Sequence, residues 1–248
     1  MARRKSLAFL DVGQGDCFVA DTKSGAIIFD GGSSSEDQVG RYRILPYMKY
    51  LGYQKIQIAV ISHMDIDHYS GIKELLEMGK IKYLGLPEIP KDETMKKIIG
   101  IAKKRGTTIF YLSRGRQITT KDGSLKVLHP QKNSQMEKNA ASLVMQGKIL
   151  GYRVLLTGDV EKEGEEELLS EELERADILK AAHHGSKNST SNEFLQKVQP
   201  KQTVISCGKQ NRYGHPHLET IHRLQTYHTK IYRTDRSGAI IFFKRRDG

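Results

Sequence analysis

Residues 5–12, 16–22 and 26–30 each carry a short apolar run of strand length, and the turn-forming segments Gly13-Gln14-Gly15 and Lys23-Ser24-Gly25 separate them. The chain therefore opens as a meander. After Asp30-Gly31-Gly32 and a serine-rich loop, residues 38–51 carry a helical pattern and Ile56 to Ser62 is an apolar run of strand length. A helix from about Ser70 to Met78, a strand at Ile81 to Leu86, a charged helix over 92–105 and a strand over 107–112 complete the first half. The second half repeats the theme. It predicts strands at 116–119, 125–129, 141–147 and 153–157, a helix at 161–174, a strand at 177–182, a helix at 191–198 and a strand at 202–206, then a helix at 217–227 and strands at 230–233 and 238–243. Two similar β-then-βα halves predict an α/β protein with two mixed sheets stacked face to face and helices outside. Polar residues at the strand ends would converge on one edge.

The length of 248 residues suits a single domain spanning 1–248. No stretch approaches the roughly 18 apolar residues of a membrane span. In the opening MARRKSLAFLDVG the apolar run Leu7 to Leu10 is broken by Asp11, too early for the core of an export signal, which predicts a cytoplasmic location. Cys17 and Cys207 each lie in an apolar strand-like run, as reduced, buried thiols do. Forty basic against twenty-nine acidic residues leave a net charge of +11, which favours nucleic acid or an anionic membrane as partner. A merely solubilising basic surface would give the same count.

The segment Ser62-His63-Met64-Asp65-Ile66-Asp67-His68 packs four metal-competent side chains into six residues, directly after an apolar strand. A helix cap needs one such residue, not four. In an extended segment residues two apart face the same way, so His63 and Asp65 can hold one ion while Asp67 and His68, as the chain turns, face a second. A calcium loop starting at Asp65 fails, because Ser70 and Leu76 stand where glycine and a bidentate glutamate are required. Further along, the strand Val154 to Thr157 ends in Gly158-Asp159, where a carboxylate could bridge two cations or cap the next helix. Leu179 to Ala182 delivers His183-His184-Gly185-Ser186, one histidine suited to ligate and the other to orient or touch substrate. Asn211-Arg212-Tyr213-Gly214-His215-Pro216-His217 offers a late ligand or acid, an anion-binding arginine and a stacking tyrosine.

At these places together the chain resembles the metallo-β-lactamase superfamily, and within it the hydrolase domain of the ComEC family of competence DNA-uptake channels. The motifs that carry the resemblance are Asp11 to Asp16, Phe29 to Gly32, Ser62 to His68, Asn139 to Val144, Thr157 to Asp159, His183 to Ser186 and Asn211 to Pro216. The resemblance implies a four-layer αββα sandwich with a site at the sheet edge, where the superfamily hydrolyses esters, lactams, thioesters or phosphodiesters with one or two divalent ions, and, in the ComEC-like branch, a nuclease acting on DNA. It implies further that His63 and Asp65 serve one metal, Asp67 and His68 the other, that Asp159 bridges, and that a histidine of the 183/184 pair completes a shell. Two departures stand out: Asp65 occupies a position where a second histidine is usual, and Asn139-Ala140-Ala141-Ser142 fills a region that often supplies another ligand. Carboxylate in place of imidazole hardens the site, moving its preference from zinc towards manganese or magnesium.

Hydroxide generated from water on a cation is the expected nucleophile, oriented by Asp67, with His215 protonating or positioning the leaving group. Gln14, Asp16 and Asp30 are expected to support the site, Asp30 by bracing the histidine loop. Ser186 lacks the elbow pattern of a serine nucleophile. His129, His222 and His228 stand apart from the motifs and receive no role. Two other functions compete with the nuclease: a small-molecule ester, lactone or thioester hydrolase, and a metal-free DNA-binding module.

Overall fold

The computed structural model describes residues 4–136, 139–171 and 173–245. The ends of the 1–248 span and Glu172 of the expected 161–174 helix lie outside them. The meander is β1 (Ser6–Phe9), β2 (Phe18–Thr22) and β3 (Gly25–Phe29). A π-helical turn, Gly40–Ile44, runs into α1 (Leu45–Tyr50), followed by β4 (Ile56–Val60), α2 (Ile66–Glu77), β5 (Ile81–Pro87), α3 (Glu93–Lys104) and β6 (Thr108–Leu112). The second half contains β7 (Gln117–Thr120), β8 (Gly123–His129), β9 (Val144–Ile149), β10 (Tyr152–Leu156), α4 (Lys162–Leu169) and β11 (Ile178–Lys180). After a 3₁₀ turn at Ala182–Gly185 come α5 (Asn192–Val198), β12 (Gln202–Ile205), α6 (Leu218–Thr226), β13 (Lys230–Arg233), the single turn α7 (Thr234–Ser237) and β14 (Ile240–Phe243).

The strands form two seven-stranded sheets, ordered β14-β1-β2-β3-β4-β5-β6 and β13-β12-β11-β10-β9-β8-β7. In each, antiparallel pairing gives way to parallel pairing, from β3 to β6 in the first and from β10 to β13 in the second. The expected repeat of halves is therefore real, with β14 crossing back to pair with β1.

Strand alternation sorts the core into three apolar layers. Leu7, Phe9, Ile27, Phe29, Val154 and Leu156 point between the sheets. Their neighbours Ala8, Leu10, Ala26 and Ile28 point outward under α1, α2 and α3, while Leu155 and Leu179 point under α4, α5 and α6 with Phe194 and Leu224. Helix, sheet, sheet, helix is the αββα sandwich anticipated above. Both cysteines are buried and free. Among the described residues no helix is long and apolar enough to cross a membrane.

Several boundaries differ from expectation, three of them for reasons the structure shows. α2 begins at Ile66 rather than Ser70, because its first turn is polar and carries no apolar period. α4 ends at Leu169, since the chain is drawn aside where Gln146 of β9 accepts from Glu174 N (3.0 Å) and donates to Glu174 O (2.7 Å). Residues 141–143 form a turn instead of strand, with Leu143 N donating to Ser62 O (3.0 Å).

Asp177 ties the strand edges together: its carboxylate accepts from Arg153 N (3.0 Å) and pairs with Lys201 (2.9 Å) and Arg245 (3.4 Å). Burial works against the charged form, but the Arg153 N–H and these cations outweigh it and hold the pKa below the usual carboxylate value. A depressed folded-state pKa stabilises the fold above the unfolded value near 4, and that contribution is lost as pH falls through the folded value. Asp177→Asn is accordingly expected to cost about 1–2 kcal/mol at pH 7 in denaturant titrations, with the difference from wild type shrinking below pH 4.

Candidate metal centre

The parallel strands of both sheets end at one edge, as α/β architecture requires of a binding crevice. There β3 delivers Asp30, β4 delivers Ser62 and His63, α2 carries Asp67 and His68 in its first turn, β10 delivers Asp159, and β11 delivers His183 and His184. Two glycine motifs allow these segments to meet. Gly32 lies so close to the start of α2 that a Cβ there would sit 2.5 Å from Ile66 O and 2.6 Å from His68 N. Gly158, at φ +52, abuts Ser62 and Ser142, and its carbonyl accepts from His183 N (3.2 Å).

The buried imidazoles of His68 and His184 and the half-buried one of His183 converge on Asp159. His68 donates from Nδ1 to Asp30 Oδ2 (3.0 Å), and His184 donates from Nδ1 to Ser206 O (2.9 Å). These bonds leave each Nε2 lone pair facing the centre, the arrangement that orients metal-binding histidines. Asp159 Oδ2 lies 3.2 Å from His68 Nε2, 3.4 Å from His184 Nε2 and 3.8 Å from His183 Nε2. Asp67 Oδ2 is 3.4 Å from His184 Nε2. The Nε2 atoms of His63, His68 and His184 are buried and, beyond these charge contacts, make no hydrogen bond, a costly state that a shared ion would relieve.

Among the described residues, four sets of three donors lie with all their atoms within 4.8 Å: His63, His68 and Asp159; Asp67, His68 and His184; Asp16, Asp159 and His184; Asp16, Asp30 and His68. A divalent ion fits this chemistry, with mixed nitrogen and oxygen donors, orphaned buried atoms and excess carboxylate. The electrostatics agree. Burial opposes charge on His68 and His184, but the facing carboxylates, Asp159 foremost, outweigh it and raise both imidazoles well above the ordinary histidine range. His63 is pushed down to about 3 by burial and by His68. The pocket thus favours positive charge at its centre.

The remaining expected residues are distributed as follows. Asp65 belongs to none of the four sets; it precedes α2 at the rim, 3.7 Å from His63 Nε2. Its place before the helix, rather than in an extended run with Asp67, separates the two carboxylates. Asp16, expected at the rim, is buried within two of the sets, and although burial opposes its charge, Lys180 and His184 hold its pKa down at about 2. Asp30 holds the end of β4, its Oδ1 accepting from Ser62 N (2.7 Å). Gln14 accepts from Gly208 N (3.0 Å), joining the first loop to the last.

Ser186 accepts from Asn188 N (3.3 Å) and shapes its own loop. Asn211 likewise organises its loop, donating to His215 O (2.6 Å) and accepting from His215 N (3.0 Å). Arg212 donates to the Tyr213 hydroxyl (2.7 Å), both exposed at the rim. His215 stacks on Tyr213, ring centroids 5.7 Å apart. Burial and the nearby His184 and His183 push its pKa down to about 4, so at pH 7 it is neutral and suited to position a group rather than to supply a proton. In the Asn139 to Ser142 turn, Ser142 Oγ accepts from Asp159 N (3.3 Å), so this segment supports a candidate ligand. His129 is buried and donates to Ser142 O (2.9 Å), whereas His222 and His228 are exposed.

Two residues escaped the sequence reading. Glu161 sits 2.9 Å from His183 Nδ1 and backs that imidazole. Lys180, buried at the end of β11, pairs with Asp16 and lies 3.6 Å from Asp159 Oδ1. A lysine inside the apolar run Ile178 to Ala182 was the available signal for the second; for Glu161 only its spacing from Asp159 hinted at a role.

Comparison with known proteins gives a consistent picture. A family model described as "Metallo-beta-lactamase superfamily" matches residues 10–209. "ComE operon protein 3" of Bacillus subtilis (strain 168) is 37% identical over 259 residues, covering 96% of this chain and 33% of that protein. "Competence protein ComA" of Neisseria gonorrhoeae is 30% identical over 248 residues, covering 96% of this chain and 32% of that protein. The chain thus spans about one third of the length of these curated relatives. The crystal structure of the metallo-beta-lactamase fold protein YhfI from Bacillus subtilis superposes with a TM-score of 0.63 at 13% identity, over 97% of this chain and all of that one, a likeness of fold.

Proposed function

The chain belongs to the metallo-β-lactamase superfamily, and from that premise we propose that it is a metal-dependent hydrolase, specifically a nuclease or phosphodiesterase acting on DNA. The observation that carries the reading is the gathering of three buried Nε2 atoms, those of His63, His68 and His184, around the Asp159 carboxylate. The net charge of +11 and the competence-named relatives support DNA as substrate. The same support extends to work in the cytoplasm beside a membrane DNA-uptake channel, with 1–248 as one hydrolase domain.

His63, His68, Asp67, His184 and Asp159 would hold one or two divalent ions, zinc or manganese with magnesium as a further option, and Asp65 would add a donor from the rim. When bound, such an ion lowers the pKa of water and offsets charge on a phosphoryl oxygen. The protein's part is positional. Asp67, partly exposed beside His184, is placed to accept a hydrogen bond from the attacking water. His183, backed by Glu161 and open to solvent on one side, faces the leaving oxygen together with His215. Arg212 and Tyr213 meet the strand at the rim, by charge and by stacking.

The test compares single- and double-stranded DNA, a small phosphodiester and an uncharged ester as substrates. DNA cleavage, with DNA affinity falling at least about tenfold between roughly 50 and 200 mM salt, is expected. Tyr213→Ala should weaken single-stranded DNA binding by about tenfold, read by fluorescence anisotropy, while small-phosphodiester turnover stays near wild type. Salt-insensitive turnover of the ester without oligonucleotide cleavage contradicts the proposal.

A further inference from the structure

Lys180 carries a positive charge at the buried end of β11. Its side chain is 5% exposed, and its ammonium pairs with Asp16 Oδ2, lies 3.6 Å from Asp159 Oδ1 and donates to Gly158 O (3.2 Å). Burying an ammonium is costly without paired carboxylates, and here both are members of one donor set, Asp16, Asp159 and His184. The two oxygens of Asp159 are divided: Oδ2 faces His68, His184 and His183, and Oδ1 faces Lys180. Thr157 Oγ1, which donates to Lys180 O (2.7 Å), fixes the strand end that holds the lysine beside the Thr157-Gly158-Asp159 loop.

We propose that Lys180 is a positioning residue, a built-in cation that closes the Asp16–Asp159–His184 corner to metal and turns Asp159 so that Oδ2 is presented to the histidines. Asp16 is thereby committed to the lysine and to shaping the floor. Metal is confined to the side of Asp159 that faces His63, His68, Asp67 and His184. This inference rests on the metal-centre reading above.

The experiment counts bound ions per chain by mass spectrometry after equilibration with manganese or zinc, on wild type, Lys180→Gln, Lys180→Arg and the double variant Asp16→Asn/Lys180→Gln. Wild type and Lys180→Arg should give the same count. Lys180→Gln should bind one further ion, and the double variant, lacking a donor at that corner, should return to the wild-type count. Phosphodiester turnover by Lys180→Gln should fall about 10–100-fold, the scale on which outer supports of a metal site act. If Lys180→Gln does not fold alone, manganese present during refolding should restore its circular dichroism spectrum, because the ion takes the place of the ammonium; no restoration overturns the proposal. An unchanged count in folded Lys180→Gln also overturns it while leaving the metal centre intact. Wild type that binds no ion overturns both.

Discussion

Replacing Asp159 with alanine is expected to lower phosphodiester turnover at least about a thousandfold while leaving a folded protein that binds fewer ions than wild type. Among the described residues this carboxylate is the one group that faces His68, His184 and His183 together, with Oδ2 between 3.2 and 3.8 Å from their Nε2 atoms. Without it the imidazoles lose their shared anion, and an ion that depends on it loses a charged donor. Apolar packing around the loop is unaffected, because Val160 and Leu156 on either side remain in the core. Steady-state kinetics and ion counting on the same preparation check the result. Wild-type turnover by Asp159→Ala would remove this carboxylate from the site.

Gly32→Ala should be nearly as damaging, although residue 32 belongs to none of the four donor sets. The added Cβ would meet Ile66 O at 2.5 Å and Asp67 C and His68 N at 2.6 Å, all backbone atoms that cannot rotate away. The same contact is clamped by Gly31 N donating to His68 O (2.8 Å), Asp16 N to Asp67 O (3.1 Å) and Gly32 N to Asp16 O (3.1 Å). Relief must therefore shift the first turn of α2, which carries Asp67 and His68. A cost of about 1–3 kcal/mol in stability is expected. Turnover should drop about a hundredfold, since displacements near 1 Å at reacting groups have that effect. Gly100→Ala in α3 is the control, because a Cβ there meets nothing within 4 Å and should if anything stabilise the helix. Melting curves and kinetics on the two variants separate a local clash from a general intolerance of glycine replacement.

Much of this architecture was legible in short apolar runs bounded by turns. Leu7 and Phe9 against Ala8 and Leu10, and Ile27 and Phe29 against Ala26 and Ile28, already define strands buried on two faces. Their recurrence in both halves made two stacked sheets the natural expectation. The site was legible where chemistry is dense in sequence, as from His63 to His68. It was less so where function depends on partners far along the chain. Asp16 was expected only to support the site from its rim, because nothing local reveals that Lys180 and His184 surround it. Lys180 stood as a lone charge inside an apolar run, and only the loop from β10, which brings Asp159 alongside, ties it to the centre. The start of α2 was misplaced for a related reason: Asp67 and His68 sit in a helical turn whose inward face is the polar centre, so no apolar period marks it.

The most direct test of the central claim is DNA cleavage by wild-type protein before chelation, after chelation, and after manganese or zinc is restored. Cleavage that disappears with the chelator and returns with the metal, and that Asp67→Ala never shows, is the predicted result. Cleavage indifferent to chelator, or absent with every metal, would contradict a metal-dependent nuclease.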